Sequence, residues 1–257
     1  MKVTEYARRR RQLMRMMGEG GIAILPTAQE RIRNRDVVYP YRPDSDFHYL
    51  TGFPEPEAVA VLVPGRAHGE YILFCRERDS EMETWHGRRA GLEGARELYG
   101  ADDAFPVSDI DEILPGLLEN RERVFYTMGC NAAFDKQLMD WLNQIRALSR
   151  SGVNPPGEFV SLDHFLHDLR LFKSRAEVGE IRKAVKASVA AHRRAMEICR
   201  PGLYEYQLEA ELIHQFTVNG ARSTAYPPIV GGGANGCILH YPESSDELTD
   251  GDWRLYT

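Results

Sequence analysis

Apolar positions at Tyr6, Leu13, Met14 and Met17 predict a helix over residues 5–17, with Arg8 to Arg11 on its solvated side. Gly20-Gly21 then turns into the apolar run Ile22 to Leu25, closed by Pro26. Two further runs, Ala58 to Val63 and Tyr71 to Cys75, flank the turn-forming Pro64-Gly65-Arg66-Ala67-His68-Gly69, and predict neighbouring antiparallel strands. Val124 to Met128 predicts another. Helices are expected over residues 94–99, 110–119 and 133–149. In the last, Phe134, Leu138, Trp141, Leu142 and Ile145 share one face. Strands and helices of these lengths imply a layered α/β domain. Pro155-Pro156-Gly157 ends it, ahead of a short helix from Leu162 to Leu169.

The remaining sequence changes character. Ser174 is placed to cap a long helix, with Glu177 three residues on as its reciprocal partner. Val178, Ile181, Val185, Val189, His192 and Met196 recur at steps of three and four and predict its buried face. Pro201-Gly202 stops this helix. Leu208, Leu212 and Phe216 mark a second one, ended by Asn219-Gly220. Tyr226 to Gly233 then reads as a strand entering a close turn. The three glycines Gly231-Gly232-Gly233 lack the GxGxxG spacing and any Walker lysine, which argues against a phosphate loop. Asp250-Gly251-Asp252 opens a last strand, Trp253 to Thr257, with an edge that would need a partner.

Composition narrows the classes. A net charge of −6 over 257 residues disfavours nucleic acid as a partner. No apolar run approaches the roughly 18 residues of a membrane span, and the N-terminus has no apolar core of a secretory signal. Cys75, Cys130, Cys199 and Cys237 are far apart, and are expected to be buried free thiols in a cytoplasmic protein.

Candidate chemistry is sparse. Tyr39 to Phe53 mixes aromatics with Arg42, Asp44 and Asp46, and suits either a ligand or subunit interface or a surface loop anchored on the core. Trp85-His86-Gly87-Arg88-Arg89 suits carboxylate recognition or a solvated turn with one docked tryptophan. His48, His68 and His86 have no metal-ligand spacing. His192 and His214 sit on helices and are expected to be structural. His240 follows the glycine turn; an imidazole there is either structural or able to exchange protons and stabilise an anion. Glu243, Asp246, Glu247, Asp250 and Asp252 form an acidic cluster of turn composition without a recognised ligand pattern.

These segments in order resemble the bacterial aminopeptidase P family, the Xaa-Pro aminopeptidases of the creatinase/prolidase-like superfamily. The resemblance is carried by Tyr39-Pro40-Tyr41-Arg42, Ser45-Asp46-Phe47, Leu50-Thr51-Gly52-Phe53, Trp85-His86-Gly87-Arg88-Arg89 and Leu169-Arg170-Leu171-Phe172-Lys173-Ser174. It continues through Glu197-Ile198-Cys199-Arg200-Pro201-Gly202 and Gly236-Cys237-Ile238-Leu239-His240-Tyr241. The resemblance implies an α/β architecture: a creatinase-like N-terminal domain over residues 1–170, then the incomplete start of a pita-bread α+β catalytic domain over 171–257. It implies release of an N-terminal residue from peptides with proline second, by two divalent metals, commonly manganese, which lower the pKa of water.

By the same resemblance, His240 matches a substrate and transition-state histidine, and Trp85 an aromatic at the substrate site or subunit interface of a homo-oligomer. The family's five metal ligands all follow the His240 segment. Thr257 stands where the first, an aspartate, is expected, so no metal residue is assigned and the chain is expected to be truncated and inactive alone. The alternative is a non-catalytic oligomerisation or interaction module.

Overall fold

The computed structural model describes residues 1–252 and the backbone of Arg254–Tyr256. Trp253 and Thr257, with the expectation attached to Thr257, lie outside the described residues. The chain divides into two compact units, Met1–Phe172 and Lys173–Thr257.

The first unit begins with helix α1 (Val3–Met17), strand β1 (Gly21–Pro26), the short strands β2 (Ile32–Asn34) and β3 (Val37–Val38), and helix α2 (Ser45–Thr51). Strands β4 (Val59–Leu62) and β5 (Tyr71–Cys75), helices α3 (Ser80–His86) and α4 (Gly91–Glu97), and strand β6 (Asp103–Pro106) follow. Helix α5 (Ile110–Leu118), strand β7 (Arg123–Phe125), helix α6 (Ala132–Ala147), strand β8 (Glu158–Val160) and helix α7 (Leu162–Leu171) complete it.

Six strands form one mixed sheet in the order β6-β5-β4-β1-β7-β8. As the hydropathy predicts, β4 and β5 pair antiparallel, with Leu62 opposite Tyr71. The alternation of side chains sorts two cores. Ala23, Leu25, Ala60, Leu62 and Leu73 face α1, α2, α4 and α7. Ile22, Ile24, Val61, Ile72 and Phe74 face α5 and α6, where the predicted residues Phe134, Leu138, Trp141, Leu142 and Ile145 are all buried.

Several elements escape the sequence pattern, among them two edge strands and one helix of the first unit. Edge strands β6 and β8 are too short and too polar to stand out, and Pro106 is tolerated because β6 lies at an edge. Helix α2 lies inside the proline-broken segment. Asp44 caps it by accepting from Asp46 N and Phe47 N, and Gly52 closes it at φ +68°.

The arginines of α1 do not share one environment. Arg9 and Arg10 are buried, which corrects the expected solvated run. Arg9 Nη1 donates to the Tyr49 carbonyl at 2.7 Å and Arg10 Nη1 to the Leu50 carbonyl at 2.9 Å. These carbonyls end α2, where a helix lacks internal donors and favours positive charge.

The second unit holds helices α8 (Arg175–Ile198) and α9 (Glu205–Val218) and strands β9 (Val230–Gly232) and β10 (Arg254–Tyr256). Ser174 and Glu177 form the expected reciprocal cap. The buried face of α8 is not the expected one. Ala187, Ala191 and Ala195 are buried, whereas Ile181, Val185, Val189 and Met196 are 48, 53, 52 and 63 % exposed. Small residues let α9 approach closely, and Leu208, Leu212, Val230 and Leu248 fill the core against them. β9 and β10 are antiparallel, Val230 opposite Tyr256.

Candidate functional site

Strand β9 ends at Gly232, and the chain folds back at once through a 3₁₀ turn, Gly233–Cys237. The glycines serve this fold-back: a Cβ on Gly231 would lie 2.9 Å from the Asn235 backbone, and Gly233 holds φ +51°. His240 therefore emerges from a turn after the 3₁₀ segment. It is solvent-exposed and borders a cleft of about 580 Å³. Tyr226-Pro227-Pro228-Ile229 and Leu239-His240-Tyr241-Pro242 line this cleft, with Glu209 of α9. One imidazole, one carboxylate and a mainly apolar wall with prolines can seat a short apolar peptide end and hold or move a proton beside it.

A buried carboxylate lies behind this loop. Glu205, the first residue of α9, accepts from Gly232 N at 2.7 Å, Asp246 N at 3.0 Å, Asn235 Nδ2 at 3.2 Å and the Tyr241 hydroxyl at 2.8 Å. Burial raises its pKa, but the two backbone N–H groups, Asn235 and Tyr241 outweigh that, so the carboxyl is held below its usual value. Burial first, then Glu205 beside it, pushes the Tyr241 hydroxyl up. In the sequence Glu205 reads as an ordinary first-turn acid; the visible signal is only a carboxylate at a helix start.

Trp85 lies on α3 in the first unit, 77 % exposed, on a helix with no buried residue; it is not docked. Its neighbourhood is ordered by charge. Arg78 donates twice to Glu83, each bond 3.0 Å, and Arg89 N donates at 3.2 Å, which hold the Glu83 carboxyl down to about 2. The Tyr39–Phe53 segment is anchored on the core. Phe47, Leu50 and Phe53 are core, and Tyr41 and Thr27 share a 2.7 Å hydroxyl bond, while Tyr39 is exposed. Asp46 pairs with Arg170.

The cysteines also separate. Cys75 is buried, Cys199 partly so, and Cys130 and Cys237 are exposed, which corrects the expectation of four buried thiols. Among the described residues, no three His, Cys, Asp or Glu side chains converge as a metal site. Two members of the acidic cluster are committed to local bonds: Asp252 accepts from Thr249 N and Oγ1 at 2.9 and 2.7 Å, and Asp246 accepts from Asn235 at 2.8 Å. These donors do not fit a two-metal centre. No described helix is long and apolar enough to cross a membrane.

Comparison with known proteins agrees with the two-unit layout. Residues 6–126 match the model of the aminopeptidase P N-terminal domain, and residues 179–256 match metallopeptidase family M24. The Xaa-Pro aminopeptidase of Escherichia coli is 43% identical over 249 residues, covering 96% of this chain and 56% of that protein. The aminopeptidase structure from Pseudomonas aeruginosa superposes with a TM-score of 0.98 at 60% identity, covering 100% of this chain and 58% of that one. Zinc-substituted E. coli aminopeptidase P in complex with product gives 0.96 at 42% identity, again covering 100% and 58%. The chain thus spans a little over half the length of these relatives. Fold and matches together define an α/β N-terminal domain of aminopeptidase type joined to the start of an M24 metallopeptidase domain. The chain belongs to the aminopeptidase P family.

Proposed function

We propose that this chain is the N-terminal portion of a proline-specific aminopeptidase, which releases the first amino acid from peptides with proline second. The observation that supports this best is the cleft that gathers His240, Glu209 and a proline-bearing apolar wall, in a chain 43% identical to an Xaa-Pro aminopeptidase. Residues 1–170 are the N-terminal domain and residues 171–257 the opening of the catalytic domain in this reading. His240 orients the peptide and stabilises charge developing on it; Trp85 meets substrate or a neighbouring subunit.

The two divalent metals of the family, manganese in this proposal, supply activated water when bound. The described residues offer no donor set for them, so the 257-residue chain is proposed to be inactive by itself. The test is release of the first residue from an Xaa-Pro peptide with added manganese. Turnover by the purified chain overturns the proposed inactivity. A longer chain that carries these residues and fails on the same peptide overturns the activity.

A second reading, a non-catalytic homo-oligomerisation module acting in the cytoplasm, is favoured by one observation, the exposed Trp85 on an otherwise solvated helix. Native mass measurement of the chain and of Trp85→Ala separates it: a multimer lost in the variant supports it, and a monomer in both ends it.

A further inference from the structure

We infer that Glu205 is the positioning residue of the His240 loop: one buried carboxylate gathers the loop at four points and thereby sets where His240 stands in its cleft. This rests on the reading of His240 as the peptide-facing residue.

The loop from Gly232 to Asp246 carries His240 at its outer, solvent-exposed part. Its two ends and two interior points converge on Glu205. Oε1 receives Gly232 N and Asn235 Nδ2; Oε2 receives the Tyr241 hydroxyl and Asp246 N. Asn235 ties the same groups together, donating to Tyr241 Oη at 3.1 Å and Asp246 Oδ2 at 2.8 Å. The backbone closes the arrangement, because Glu205 N donates back to the Asp246 carbonyl at 3.0 Å. Tyr241 follows His240 directly and is buried, so its anchored ring limits the places the imidazole can reach.

Four donors on two oxygens make the position specific for a carboxylate. Glutamine has the same shape but only one acceptor oxygen, and its amide would meet groups that already donate. A buried donor left without an acceptor is costly, so the loop would open rather than keep its shape. The carboxylate lies at the start of α9, where the helix dipole favours its charge.

The experiment uses the 257-residue chain without substrate, so its outcome stands whatever the peptide assay returns. Glu205→Gln and Tyr241→Phe are compared with the parent by NMR. The readouts are the His240 imidazole chemical shifts, and hydrogen exchange at Gly232 and Asp246. In Glu205→Gln the His240 shifts should move and exchange should rise at least about tenfold, while the Ala191–Leu208 signals of the α8–α9 core persist. Tyr241→Phe, which keeps the ring and removes one donor, should move the His240 shifts less and leave the core unchanged. Parent-like His240 shifts and parent-like protection in Glu205→Gln would overturn the inference. If that variant loses the α8–α9 core as well, Tyr241→Phe decides: displaced His240 signals uphold the role, unchanged ones overturn it.

Discussion

The guanidinium of Arg10 lies 3.9 Å from the centroid of the Tyr71 ring, so α1 is joined to the central sheet through a buried cation. Burial pulls the Arg10 pKa below its usual value, opposed by Tyr71 and Asp102. The charge is held by the ring face and by the carbonyls of Leu50 and Gly100.

Arg10→Ala removes the donor from both carbonyls and the stacked cation from Tyr71. Leaving buried groups unpaired costs about 1–3 kcal/mol each, so a loss of about 3 kcal/mol is expected. Arg11, one residue on and exposed, should tolerate alanine within about 0.5 kcal/mol. Urea unfolding followed by tryptophan fluorescence measures both. Equal effects would mean that the buried and exposed arginines are energetically alike.

Helix α8 predicts an inverted sensitivity. Ala191→Leu forces bulk into the close approach with α9 and should destabilise the second unit by about 1–3 kcal/mol. Val185→Ser, at a position that sequence periodicity places inside but the structure leaves 53 % exposed, should change stability by no more than about 0.5 kcal/mol. Hydrogen exchange along α8 and α9 in the two variants reads the contrast. A larger effect from Val185→Ser would restore the valine face as the buried one.

The cysteines should react in two classes. Cys130 and Cys237 are exposed, and Cys75 is buried, where burial and then Glu55 push its thiol up to about 12. Iodoacetamide at neutral pH should label Cys130 and Cys237 and spare Cys75 in the folded chain. Peptide mapping after brief alkylation tests this, and early modification of Cys75 would contradict its burial.

Glu205 should give the second unit an acid-sensitive component. Its folded carboxyl is held below the ordinary glutamate value, about 4.3 in an unfolded chain. Its stabilisation is therefore complete above that unfolded value and is lost as pH falls through the lower folded one. Glu211, also held down, by Gln215 and Arg194 against opposing burial, adds a slope of the same sign. The informative quantity is thus the difference between the parent and Glu205→Gln. Urea midpoints of the second unit's NMR signals should differ most at neutral pH and converge in acid. A difference that is the same at every pH would show that the Glu205 charge contributes nothing.

Much was determined by the sequence alone. The apolar runs of β1, β4 and β5, the stripe on α6 and the Ser174–Glu177 cap are local patterns, and each leads to its element by rules of period and capping. The ordered motifs from Tyr39 to Tyr241 identified the family, because linear spacing suffices for that. Tertiary structure decided what linear spacing cannot carry. Arg9 and Arg10 are buried because the end of α2 offers them carbonyls from residues 40 positions away. The alanine face of α8 wins over its valine face because close approach to α9 rewards small side chains. Glu205 gathers groups from Gly232 to Asp246 because the chain folds back on itself after β9, and only that fold-back makes an ordinary helix-start glutamate the anchor of the His240 loop.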